Sequence, residues 1–240
     1  MSVPLVLSVT SQLIERLREG ILAGHYAPGA SLRQDVLASE FGTSKIPVRE
    51  ALVRLQSEGL VNIFPNRGFQ VRPLDEAELD EIFSLRLHME PAAAAAGARL
   101  ATAADQRAAA EALERLDEAM QNAEFTTFGQ LNRAFHLQLL VPRLQPIASE
   151  ILGRLHTLAQ RYVHAHLQPE GRAKRASREH ALLFKAWRAR KSARVSELLH
   201  EHIESTRSDL ASAVGRLPPR RAGKNAPRRA QRRPSKLVRR

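Results

Sequence analysis

Residues 41–60 read FGTSKIPVREALVRLQSEGL, a short turn running into a helix. Val48, Leu52 and Leu55 recur at helical spacing and predict a buried stripe. The opening turn carries Thr43, Ser44, Lys45 and Arg49, with no acid before Glu50. Hydroxyls and cations gathered at a helix N-terminus, where the dipole already favours anions, suit a polyanionic partner. Pro47 falls in the first turn, where its missing N–H breaks no hydrogen bond.

The flanking segments give this helix its context. VTSQLIERLREGILAG (9–24) places Leu13, Ile14, Leu17, Ile21 and Leu22 on one stripe and ends near Gly24. HYAPGA is a Pro-Gly turn. In SLRQDVLASEFG (31–42), Ser31 and Gln34 stand at capping-box spacing, and Gly42 closes the helix. The link to the next helix, opened by Thr43 or Ser44, is short enough to force a sharp corner. Downstream, LVNIF and FQVRP are β-prone runs joined by Pro65-Asn66-Arg67-Gly68, a turn with a basic tip. Helix, helix-turn-helix and hairpin, in that order, predict a winged helix-turn-helix domain over residues 1–73.

In such a domain the N-terminal turn of the second motif helix enters the major groove. Serine and threonine there meet phosphates or base edges, while lysine and arginine reach guanine. Thr43, Ser44, Lys45 and Arg49 are therefore candidate DNA contacts, with Asn66, Arg67 and Gly68 at the wing tip. Helix capping alone would account for Ser44, but not for the helix-turn-helix spacing together with a basic wing.

From Leu74 onward the chain changes character. LDEAELDEIFSLRLHMEPAAAAAGARL opens with Asp75 and Glu78 at capping-box spacing, and Ala92–Ala96 reads as a close-packed helix face. ADQRAAAEALERLDEAMQNA, FTTFGQLNRAFHLQLL, IASEILGRLHTLAQRYVHAHL, SREHALLFKAWRARK and ARVSELLHEHIESTRSDL follow with helical patterning and no strand signal. Residues 74–212 thus predict an all-α helical bundle of about six helices. The fold class expected is mainly α, a winged helix-turn-helix followed by that bundle.

The formal charge of +12 is a local property. Eleven of the 37 cations and none of the 25 acids lie in residues 216–240, so the rest of the chain is nearly neutral. That stretch, with four prolines and no aromatic residue, predicts a basic disordered tail over 213–240, able to hold phosphate without reading sequence. The absence of cysteine excludes disulfides, thiolate metal sites and a cysteine nucleophile. MSVPLVLSVT lacks the basic start of a signal peptide, and no apolar run approaches the roughly 18 residues needed to cross a bilayer. A cytoplasmic protein with no membrane partner is the expectation.

Nine histidines remain to be explained. His136 follows Asn132 by one turn on a face with Phe128, Leu131, Phe135 and Leu139. His180 shares a stripe with Leu183, Phe184 and Trp187, and His202 continues Val195, Leu198 and Leu199. Singly, each would suit ordinary core packing. Together, on three helices, they can converge on a metal, as facing helices do in bundles. His156, His164 and His166 share a helix with Arg154 and Arg161 and read as a polar, partly exposed face; His25 and His200 read as solvated. Arg86 suits an effector carboxylate, or an ion pair with Glu90 one turn on.

Residues 18–74 resemble the DNA-binding domain of GntR-type bacterial transcriptional regulators, through ILAG, PGASL, PVREAL, RLQSEGLV and PNRGFQV. The resemblance implies a dimer reading a small palindromic operator in double-stranded DNA through Ser44, Lys45 and Arg49, with Arg33, Asn66, Arg67 and Gly68 beside them. Lys45-Ile46 departs from the usual Arg-Thr, replacing a bidentate fork with a point charge. The bundle is similar to the FCD domain of the FadR subfamily over roughly residues 76–212. LRLHMEPAAAAAGARL, LNRAFH, REHALLFKAW and LLHEHI carry that likeness. It implies a divalent metal, zinc or nickel, on Asn132, His136, His180 and His202, with a small organic acid beside it. Asn132 stands where many members have aspartate, and an amide oxygen is the weaker donor.

A ligand-responsive regulator and not an enzyme is therefore the expectation. A metal-dependent hydrolase on the same histidines lacks a general base, because Glu179 adjoins His180 in sequence and points roughly 100° from it on a helix. An architectural DNA binder would rely on the basic tail instead.

Overall fold

The computed structural model describes residues 8–65, 67–122, 125–140, 142, 145–165 and 172–214, apart from the side chains of 125, 126, 164, 165, 172 and 173. The basic tail, Asn66 and His166 lie outside the described residues.

The N-terminal part runs α1 (Val9–Leu22), β1 (Ser31–Leu32), α2 (Gln34–Glu40), α3 (Lys45–Ser57), β2 (Val61–Phe64) and β3 (Gly68–Val71). Ser8 caps α1 by accepting the Ser11 N–H at 3.1 Å. Leu13, Leu17, Ile21, Val48, Leu52 and Leu55 fill a core closed by Leu60, Val61, Phe69 and Val71 from the hairpin. Gly42, at φ +62°, turns the chain between α2 and α3, and the Thr43 N–H bonds the Ala38 carbonyl at 2.9 Å. A left-handed residue is what so short a link needs. The sheet has the order β1-β3-β2, all antiparallel, with Val61 opposite Val71 and Phe64 opposite Gly68.

One expectation is corrected here. Ser31 does not cap α2: it lies in β1 opposite Gln70, and Arg33 occupies the N-cap position without a side-chain cap bond. Leu32 is buried and Ser31 exposed, so two residues of alternating pattern join the sheet where a cap was expected.

The bundle comprises α4 (Glu76–Leu100), α5 (Ala103–Gln121), α6 (Phe125–Leu140), α7 (Pro146–Ala165), α8 (Arg172–Arg188) and α9 (Ser192–Val214). No helix among the described residues is long and apolar enough to cross a membrane. Asp75 caps α4 by accepting the Glu78 N–H at 3.0 Å, and Thr102 with Asp105 forms a reciprocal box at α5. Ala94, Ala95 and Ala98 are buried, and a Cβ at Gly97 would stand 2.3 Å from the Leu139 carbonyl oxygen. The alanine-rich face therefore lets α4 and α6 approach to backbone contact. Trp187 bridges the same point, donating Nε1–H to that carbonyl at 3.0 Å.

The two parts are joined through α7. Arg161, buried, donates to the Arg72 and Pro73 carbonyls at 2.9 and 2.7 Å and faces Glu78 at 3.4 Å. The Tyr162 hydroxyl lies 3.0 Å from the Asp75 carbonyl and 2.9 Å from Glu78 Oε2. The linker between the domains is thus fastened to a helix of the bundle.

Candidate metal centre and nucleic-acid interface

Ser44 is the N-cap of α3, extended at φ −86° and ψ 167°, yet its side chain makes no cap bond. Capping therefore does not occupy its hydroxyl. Ser44, Lys45 and Arg49 are exposed, and the two cations have no ion-pair partner among the described residues. Thr10 donates to Glu50 at 3.0 Å, drawing the acid of this helix toward α1. Thr43 is half-buried in the corner. Arg33 is exposed but held at two points by Asp35, at 2.8 and 3.3 Å, a pair that phosphate would have to displace. At the wing, Gly68 has φ +82°, Arg67 is exposed, and the Arg67 N–H bonds the Phe64 carbonyl at 3.0 Å. Ile46 is 72% exposed and Val53 45%, flanking Arg49 on one helix face. Val53 was not singled out from sequence, since it follows the buried Leu52.

The three histidines do converge. His136 comes from α6, His180 from α8 and His202 from α9, with relative exposures of 1%, 1% and 8%. Each offers a ring nitrogen, and these three atoms lie within 4.8 Å of one another. His180 Nε2 and His202 Nε2 face each other at 3.3 Å. Two zinc–nitrogen bonds of about 2.0–2.1 Å at the tetrahedral angle would set their nitrogens about 3.3–3.4 Å apart. Both ring nitrogens of His136, and Nδ1 of His180, are buried without a hydrogen-bond partner. Such groups are costly in an apolar interior unless something else engages them.

Burial is the main reason His136 and His180 titrate well below the usual histidine range, with neighbouring imidazoles pushing the same way. Both are therefore neutral at physiological pH, the form that ligates metal. Asn132 and Arg86 line the same cavity, with Phe128, Val163 and Ile203 as apolar wall. Its volume is about 40 Å³. At roughly 10–15 Å³ per water, that is room for a few small groups only.

Arg86 forms the pair with Glu90 as a two-point contact, Nε to Oε1 at 2.6 Å and Nη2 to Oε2 at 3.3 Å. Burial pushes the Glu90 carboxyl up, but Arg86 and His156 together outweigh it and hold the group well below the usual carboxylate range. His156 Nε2 stands 3.0 Å from the same Oε1, without hydrogen-bond alignment. Here the sequence reading is corrected: His156 and Arg161 are buried, at 3% and 5% exposure, not part of an exposed face. The His156 ring centroid is 5.8 Å from that of His136, so His156 backs the histidine cluster. Arg86 on α4 itself supplies the counter-charge of Glu90, and His156 of α7 packs on the same carboxylate, a contact visible only once the helices are packed. His25 and His200 are exposed, as expected.

Glu179 is the residue that sequence reasoning set aside. It does point away from His180, but toward α9, where Oε2 accepts from His202 Nδ1 at 2.7 Å. Its spacing from His180 gave no signal of this, because the contact crosses between helices.

Comparison with known proteins agrees with this layout. Residues 81–205 match the FCD domain, and residues 9–71 match the bacterial regulatory proteins of the gntR family. The chain is similar to the HTH-type transcriptional regulator McbR of Escherichia coli (strain K12), 32% identical over 148 residues, 62% of this chain and 67% of that protein. It is also similar to the HTH-type transcriptional repressor GlaR of the same organism, 29% identical over 195 residues, 78% of this chain and 89% of that protein. Among solved structures, E. coli McbR/YncC superposes with a TM-score of 0.76 at 26% identity, covering 87% of this chain and all of that one.

Proposed function

This chain belongs to the GntR family of bacterial transcriptional regulators and carries an FCD domain, and from that premise we propose that a small organic acid, bound with a divalent metal in the bundle, controls its affinity for operator DNA. These matches are to regulators of transcription, not to enzymes. The observation that carries the reading is the trio of buried imidazoles from three helices, their ring nitrogens within 4.8 Å of one another, one pair 3.3 Å apart, and the nitrogens of His136 and Nδ1 of His180 without a hydrogen-bond partner.

His136, His180 and His202 would hold the ion, zinc or nickel, with Asn132 as a neutral oxygen donor. The metal supplies a positive centre to which a carboxylate can bind. Arg86, already neutralised by Glu90, presents hydrogen-bond donors at the cavity wall more than net charge. A cavity of about 40 Å³ favours an acid of few heavy atoms, and a larger one has to open it. In the DNA-binding head, Ser44, Lys45 and Arg49 enter the major groove, with Arg33 and Thr43 at the phosphates. Asn66, Arg67 and Gly68 form the wing contact. Two copies would place two heads on a palindrome, so a modest rotation alters the fit to both half-sites. A cytoplasmic location follows from that role.

A thermal-shift screen of small carboxylates, with zinc or nickel added or chelated, tests the sensor half. A ligand of the folded state must raise its melting temperature. The expected result is an acid that stabilises only with metal, a response removed by His136→Ala. Equal melting in every condition would overturn it.

A further inference from the structure

We propose that Glu179 is a positioning residue for the metal centre: it fixes the His202 ring and supplies the negative charge that Asn132 does not. The inference rests on the metal reading above and deepens it.

His202 is presented from α9 with Nδ1 on the Glu179 carboxylate at 2.7 Å and Nε2 facing His180 Nε2 at 3.3 Å. A carboxylate accepts but does not donate, so His202 carries its proton on Nδ1 and leaves the Nε2 lone pair toward the cluster. Carboxylate, imidazole and ion in line is how proteins fix a ligating tautomer and make the ring more basic. Neither His136 nor the Nδ1 of His180 has such a support, since those nitrogens have no hydrogen-bond partner. Glu179 in turn faces Arg175 at 3.4 Å, and Arg175 pairs with Asp209 of α9. The carboxylate is thereby held between α8 and α9, at the point where each contributes a histidine.

Charge gives the arrangement a second purpose. Three neutral imidazoles and one amide leave a dication uncompensated, and the Arg86–Glu90 pair cancels within itself. Glu179, in contact with a ligating ring, is placed to offset it.

The test is zinc affinity of the full chain, by competition with a chromophoric chelator, for wild type, Glu179→Gln, Glu179→Ala and Glu179→Gln combined with Asn132→Asp. Glu179→Ala is expected to weaken zinc binding about 10–100-fold. Glu179→Gln keeps an acceptor but loses the charge and falls between, and Asn132→Asp restores affinity in its background. Nitrogen-resolved NMR of the metal-free protein reads the His202 tautomer directly. It should show Nδ1–H in the wild type and a tautomer mixture in Glu179→Ala. Should Glu179→Ala not fold, the near-isosteric Glu179→Gln carries the affinity comparison. Wild-type zinc affinity in both Glu179 variants, or a proton on His202 Nε2 in the metal-free wild type, would overturn the role of Glu179 alone. No zinc binding by the wild type would overturn the metal reading itself, and this role with it.

Discussion

Arg86 and Glu90 sit one turn apart on α4, both buried, so each replaces the water the other has lost. Removing one partner of such a pair strands the other charge, at a cost of about 3–5 kcal/mol. Arg86→Ala should show that loss in chemical denaturation. Histidine burial predicts a pH dependence as well. Unfolded, His136 and His180 titrate near 6.5; folded, they are held well below it. Between those values only the unfolded chain takes up protons. Stability of the chelator-treated protein is therefore full above about pH 6.5 and falls below it, by up to about 1.4 kcal/mol per pH unit for each histidine. Glu90, unfolded near 4.5 and lower when folded, adds loss in the same direction below that pH. Denaturant midpoints at pH 7.5, 6 and 5 check this, and a flat series would contradict it. At this scale the sequence was legible where one helix decides the answer: His136, His180 and His202 lie on apolar stripes, and His200 does not. It was silent on His156 and Glu179, whose partners belong to other helices.

Elements were legible where periodicity was long and punctuated. Gly42 and the wing turn placed the helix-turn-helix and hairpin, and capping residues placed the start of α4. β1 was not, because two residues carry no period and Ser31 with Gln34 mimics a capping box. Packing between elements yields a prediction against propensity. Gly97→Ala should favour α4 by about 1 kcal/mol as an isolated helix. Its Cβ would meet the Leu139 backbone oxygen at 2.3 Å, however, and overpacking costs about 1–3 kcal/mol or more. A lower melting temperature is expected. At the domain junction, Arg161→Ala frees the Arg72 and Pro73 carbonyls from α7. Amide exchange across residues 72–79 should then quicken, while exchange within α3 stays unchanged.

Across the whole molecule, the near-neutral body and the basic residues 216–240 are expected to contribute separately to DNA affinity. Deleting 216–240 should weaken binding to all sequences alike and flatten its salt dependence. Arg49→Ala should cost about 1–3 kcal/mol on the operator and much less on unrelated DNA. The centre at His136, His180 and His202 and the head at Ser44, Lys45 and Arg49 are joined through α4, α7 and the linker they hold. On the proposed function, that linkage would let the bundle set DNA affinity, and such couplings amount to about 5–150-fold. The most direct test is the affinity of full-length protein for a DNA site chosen by selection from random duplexes. It should be measured with zinc plus a stabilising carboxylate and again with chelator, for wild type and His136→Ala. A change of at least about fivefold in the wild type, absent in His136→Ala, is the result the account predicts. Equal affinity in all four conditions would contradict it.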